Sequence, residues 1–219
     1  MTDGLTRSPR LLKGGLVLVD PGSGAVRRVI TLQYNPDSLS RTVQLQGVSG
    51  GADRSEALRL KGPPIETIKV EAEIDATDQL ETPDAHPDAV ALGLHPQLAA
   101  LEAIAYPGSA TLTLNAILAA VGTIEILPAE APLTLFVWSA QRILPVRLTE
   151  LGINEEAFDP ALNPIRVKVT LGLRVLSVDD LGFGNRGGSL FMAYLRSKER
   201  LAARTPVAAL SNLGIGGIG

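Results

Sequence analysis

The chain has 219 residues, of which 45% are hydrophobic and only 4% aromatic, and a formal net charge of −3. That length suits one domain of moderate size with an aliphatic core, alone or with a tail. The slight acidity gives no support for a nucleic-acid surface, and the absence of cysteine excludes disulfides, thiolate metal sites and cysteine nucleophiles.

Residues 1–10 are polar and predict a flexible arm. Leu16–Val19 predict a short strand, and this first apolar run is far too short for a signal peptide or a membrane span. Synthesis in the cytosol is therefore expected. Asp20-Pro21-Gly22-Ser23-Gly24 is a turn, because Pro fixes φ and Gly permits positive φ, and Val26–Tyr34 return as the second arm of a hairpin. Asn35-Pro36 ends that strand. The chain re-enters at Leu39, where Val43 and Leu45 alternate with Thr42, Gln44 and Gln46. Gly50–Pro64, with paired glycines and prolines, predict a long loop.

Ile68, Val70, Ala72 and Ile74 alternate with Lys69, Glu71 and Glu73, the pattern of a strand with one apolar and one charged face. Asp75–Asp88 predict an acidic loop. His95-Pro96 opens a helix, with Pro in the first turn where its missing N–H costs nothing. Leu94, Leu98, Leu101 and Ile104 recur at helical spacing, and Tyr106-Pro107-Gly108 stop it. Ser109–Ala131 carry only two charges and fit either strand or helix. The segment is either a docking patch or a buried hairpin.

Leu133, Leu135 and Val137 fall on one face of the next strand and Thr134, Phe136 and Trp138 on the other, so both faces are expected to be covered. Ser139–Arg142 form a tight connection. In Ile143–Ile153 the apolar parity shifts near Thr149-Glu150, which predicts a β-bulge. Asn154–Asn163 predict a loop with a helical turn around Glu155–Phe158. Ile165–Val175 then alternate apolar residues with Arg166, Lys168, Thr170, Gly172 and Arg174. Asp179–Gly188 predict a glycine-rich linker. Ser189 caps a helix to about Arg204, apolar through Phe191, Tyr194, Leu195 and Leu201 and basic through Arg196, Lys198, Arg200 and Arg204. The final residues, rich in glycine, cannot fold alone.

Little in this sequence suits catalysis. His86 and His95 each precede a proline and have no partner at metal-ligand spacing. The acids of 75–88 lack the order of a calcium loop, Glu155 and Glu156 are adjacent rather than convergent, and neither glycine run continues into a phosphate-binding Lys-Ser/Thr. No catalytic, cofactor or metal residue is expected.

Two stretches carry a family resemblance. One is Tyr34-Asn35-Pro36 followed by Ser38-Leu39 and Arg41. The other combines the Trp138-ended strand, Pro145-Val146-Arg147, Phe158-Asp159-Pro160, and Asn163-Pro164 leading into the last strand. Together they resemble the tube-like proteins of contractile injection systems, the family often associated with a LysM module. The resemblance covers most of residues 11–178. It implies a mainly β fold, an antiparallel β-sandwich or barrel of the tail-tube type with one packed α-helix, here followed by a C-terminal helix. It also implies copies joined edge to edge in a hexameric ring at the base of the inner tube, connecting spike to tube and initiating tube assembly.

On that reading Lys69, Glu71, Glu73, Arg166, Lys168 and Arg174 are candidates for ring or channel surfaces. Phe191, Tyr194, Leu195, Arg196 and Arg200 form a candidate docking tail for a LysM-containing or other baseplate protein. Spike and tube proteins are the implied partners, with no nucleic acid and no direct membrane insertion, and the particle is the implied location. No LysM-like module follows Val178. A repeated inner-tube subunit is the alternative, and a small β-domain hydrolase or carbohydrate-binding module the more distant one.

Overall fold

A computed structural model describes residues 12–47, 59–120, 131–206 and 208–217. The expected arm at 1–10, most of the expected loop at 50–64, residues 121–130 and the last two residues lie outside the described residues.

Among the described residues seven strands form one antiparallel sheet. They are β1 (Gly15–Val19), β2 (Val26–Thr31), β3 (Leu39–Gln44), β4 (Ile65–Asp75), β5 (Leu133–Ser139), β6 (Arg142–Phe158) and β7 (Pro164–Val175). Their order across the sheet is β2-β1-β5-β6-β7-β4-β3. The fold is mainly β with packed helices, as expected. Among the described residues the sheet does not close into a barrel by strand pairing, because β2 and β3 remain edges.

The longest strand sets the shape. The first part of β6, up to Val146, pairs with β5, and the rest, from Val146 to Phe158, pairs with β7. Val146 alone has a strand partner on both sides, Thr134 and Val175. The expected bulge lies between Leu148 and Glu150. It crowds the facing strand, so that a Cβ on Gly172 would sit 2.8 Å from the Glu150 Cβ. Further shifts fall around Glu155–Phe158. This corrects the expected loop and helical turn there: the acids and Asn154 continue the strand, and only Asp159–Asn163 turn. Asn154 pairs Lys168 and Glu155 pairs Val167, so the ladder to β7 outweighs their weak strand propensity.

The apolar phase of each strand builds the core. Leu16, Ile68, Val70, Phe136, Leu144, Val146 and Val167–Val175 in alternation are buried in one cluster. Leu98 and Leu101 of α3 (His95–Ala105) and its N-cap residue Leu94 join it, as the helical spacing predicted. A smaller cluster lies on the other face of β1 and β5, where Val17, Val19, Leu133, Leu135 and Val137 meet Leu181 and Leu190. Both faces of β5 are therefore covered. Within the first face Trp138 stacks on Phe136 with centroids 5.8 Å apart.

The acidic 75–88 segment is more ordered than a loop. It holds α1 (Thr77–Leu80), a 3₁₀ turn (Pro83–Ala85) and the start of α2 (Pro87–Leu92). Ser109–Ala120 form α4, which settles the strand-or-helix ambiguity for that half of the segment. The expected glycine-rich linker is α5 (Val178–Leu181) and the first turn of α6 (Arg186–Ala202). Asn185, not Ser189, caps α6, accepting from the Gly187 N–H at 2.9 Å. The glycines serve close approach: a Cβ on Gly188 would lie 2.0 Å from the Gly182 carbonyl oxygen.

Replacing Gly172 by Ala forces a methyl against Glu150 and destabilises the domain by about 1–3 kcal/mol. Gly152→Ala, whose nearest neighbour is the Thr170 Cβ at 3.4 Å, costs less than about 1 kcal/mol. Denaturant titration of the two variants measures the contrast.

Candidate interaction surfaces

The outward faces of β4 and β7 carry the predicted charges, and β7 pairs with β4 so that Asp75 lies opposite Arg166 and Glu73 opposite Lys168. Arg166 Nε donates to Asp75 at 2.8 Å and stands 3.6 Å from Glu73. Lys168 Nζ meets Glu156 at 2.8 Å, and Arg174 meets Asp180 at 2.7 Å. The three cations of β7 are thus satisfied within the chain. Among the described residues Lys69 and Glu71 make no ion pair. Exposed pairs of this kind add little stability. Hydrogen bonds from Thr77, with help from Arg166, hold the Asp75 carboxyl below the usual carboxylate range, and Glu156 raises the Lys168 ammonium.

Beside this face runs a groove of about 680 Å³. Gly152 and Thr170 are among the small residues lining it, together with Tyr34–Ser38, Glu71 and Glu73. The Tyr34-Asn35-Pro36 motif shapes its rim. Asn35 accepts from the Gly14 N–H at 2.9 Å and donates to the Leu12 carbonyl at 2.7 Å, tying the β2–β3 connection to the start of β1. The neighbouring Gln33 donates to the Asp75 carbonyl at 2.7 Å and accepts from the Asp75 N–H at 2.8 Å. One side-chain amide thereby takes the place of a strand and draws the β2 end of the sheet to the end of β4. Tyr34 stays half exposed and Pro36 is partly buried.

The second motif is structural at its polar positions. Asp159 accepts from the backbone N–H groups of Ala161 and Asn163 and from the Asn163 amide, each at 2.8 Å. These bonds, led by Asn163, hold its carboxyl below the usual range. Asn163 also reaches the Ala91 carbonyl at 3.3 Å, and the Pro164 carbonyl accepts from Leu94 N–H at 2.8 Å. The β6–β7 turn is thus pinned to α2 and α3. Phe158 is half exposed.

The candidate docking tail needs correction. Phe191 and Tyr194 are buried in the main core and Leu195 packs against it, so they hold α6 on the sheet. Arg196 and Arg200 are exposed. The residue that anchors this helix was not singled out from the sequence. Glu66, 4% exposed, occupies the apolar phase of β4. It accepts from Lys198 at 3.1 Å and from Tyr194 Oη at 3.5 Å, with Arg41 Nε also 3.5 Å away. Lys198 lies 4.2 Å over the Tyr194 ring, and Ser197 donates to Gln141 at 3.1 Å. The signal was present: in Ile65-Glu66-Thr67-Ile68 an acid stands where alternation requires an apolar residue.

α4 has no buried residue, and Leu112, Leu114 and Ile117 are each at least half exposed. Among the described residues no single helix is long and apolar enough to cross a membrane. A scan of protein-family models and a search of curated proteins found no match to the chain.

Two outcomes follow. Glu66→Ala removes the acceptor shared by Lys198, Tyr194 and Arg41, whose cations are each about a third exposed and can turn to water, and destabilises the fold by about 1–3 kcal/mol, with faster amide exchange in α6. The carboxyls of Asp75 and Asp159 are more acidic folded than unfolded. Their stabilisation is therefore complete above the ordinary carboxylate range, about pH 4, and is lost as pH falls below it. Urea titrations at stepped pH should show a steeper acid decline for the wild type than for Asp75→Asn, which starts less stable at neutral pH.

Proposed function

We propose that the chain is a structural component of a contractile injection system, forming a hexameric ring that connects spike to tube and initiates tube assembly. The observation that carries this reading is the pair of unpaired sheet edges. Among the described residues β2 and β3 end the sheet on opposite sides, and neither has a strand partner on its outer side, so each offers backbone donors and acceptors to another chain. β2 adds apolar side chains, with Val26 60% and Val29 58% exposed. Two different edges on one molecule favour head-to-tail contacts, which close into a ring when the rotation allows. The two motif stretches support the same reading, since Asn35 and Asp159 fix the connections that shape this sheet. The function is shape and edge complementarity, and it requires no covalent step.

The purified chain should form closed rings in negative-stain electron microscopy. Lysines at Val26 and Val29 should abolish the closed rings while leaving the chain's melting temperature nearly unchanged. Rings that survive both substitutions would remove β2 from the contact.

A further inference from the structure

The C-terminal half of α6 and the turn that follows it carry a ridge of arginines with no ion pair among the described residues. Arg196, Arg200 and Arg204 follow one another at intervals of four, so Arg196 and Arg200 share a helix face. All three are exposed, and among the described residues none has an ion pair. Glu199, the acid on this stretch, pairs with none of them. Like charges at this spacing destabilise a helix. The helix dipole offsets this near the C-terminus, for Arg200 and Arg204, but not a turn earlier at Arg196. The ridge is also held rigidly, because Phe191 and Tyr194 are buried beneath it and Lys198 is bound to Glu66. A fixed, unpaired cationic ridge is suited to an external acidic surface.

The chain carries a matching concave surface elsewhere. In the groove between the β2–β3 connection and the outer face of β4, Asp37 and Glu71 are exposed and without an ion pair among the described residues. Glu73 reaches Arg166 only at 3.6 Å, and the groove's lysine, Lys168, is already held by Glu156. The half-exposed Tyr34 ring on the rim can take a guanidinium on its face.

We propose that the arginine ridge of α6 docks into the Asp37–Glu71 groove of a second copy of this chain. The two surfaces differ, so the contact is heterologous and propagates around a ring rather than ending in a two-fold dimer. The proposal deepens the ring-forming reading and rests on it for closure. The pairing itself is a property of two copies in solution. A net negative charge and a ready acidic partner on the same chain favour this occupant over a polyanion.

The test is charge reversal with exchange, read by mass photometry of the full chain. Wild-type association should weaken at least about tenfold between roughly 50 mM and 500 mM salt. Arg196→Glu/Arg200→Glu and Asp37→Lys/Glu71→Lys should each lose association while keeping the wild-type circular dichroism spectrum. An equimolar mixture of the two should recover it. Glu81→Lys/Asp84→Lys, which reverses exposed acids outside the groove, should associate as wild type does. A mixture that stays monomeric, or a reversed ridge that still self-associates, overturns the pairing. So does loss of binding to DNA or anionic vesicles with self-association intact. Rings that persist in the reversed variants would leave the ring-forming reading standing without this contact.

Discussion

One strand serving two neighbours at different heights governs this fold. β6 is too long to pair with either β5 or β7 along its whole length, and Val146 is the point where it passes from one to the other. The bulge at Thr149 turns the strand as the second ladder begins, and Gly172 leaves the room that turn needs. A sheet built on such a stagger curls. Its far ends approach closely enough for the Gln33 amide to pair with the Asp75 backbone, yet they do not zip together as strands. The near-closure encloses an aliphatic core, and the remaining gap leaves two edges for other chains.

The core needs a cover, and that cover is charged where it meets the sheet. α6 buries Phe191 and Tyr194 on its inner side and is fixed by a carboxylate placed in the apolar phase of β4. A buried carboxylate is costly unless cations and hydrogen bonds surround it, and Glu66 draws these from β3 and from α6 together. The arrangement gives α6 one register on the sheet. It also divides the basic residues of the helix, because Lys198 is used inside while the arginines face out.

Much of the sheet was legible in the sequence because period-two alternation survives wherever one face is buried. The strands at 68–74 and 165–175 and the shift near Thr149 are of this kind. The Glu155–Phe158 segment was misread because two acids and a following proline resemble a loop, while the long-range ladder to β7 keeps it extended. The linker at 179–188 was misread because glycine marks both flexibility and close approach, and it is the packing of Gly187 on Leu181 and of Gly188 on the Gly182 carbonyl that distinguishes them. The candidate surfaces were partly legible. Alternation identified the charged face of β4 and β7, but not that Arg166 and Lys168 are neutralised across strands and Arg174 by Asp180 of α5. The apolar residues at 191–195 read as a docking face because the sequence alone does not reveal which side of an amphipathic helix meets its own domain.

We propose that two open edges and a charged outer face make this chain a ring between a spike and a tube. Cryo-electron microscopy of intact injection particles from cells making the chain tests it most directly. The expected result is a single ring of copies at the spike–tube junction, with β2 and β3 of adjacent copies in contact. Density repeated along the shaft, or no density for the chain in the particle, would contradict it.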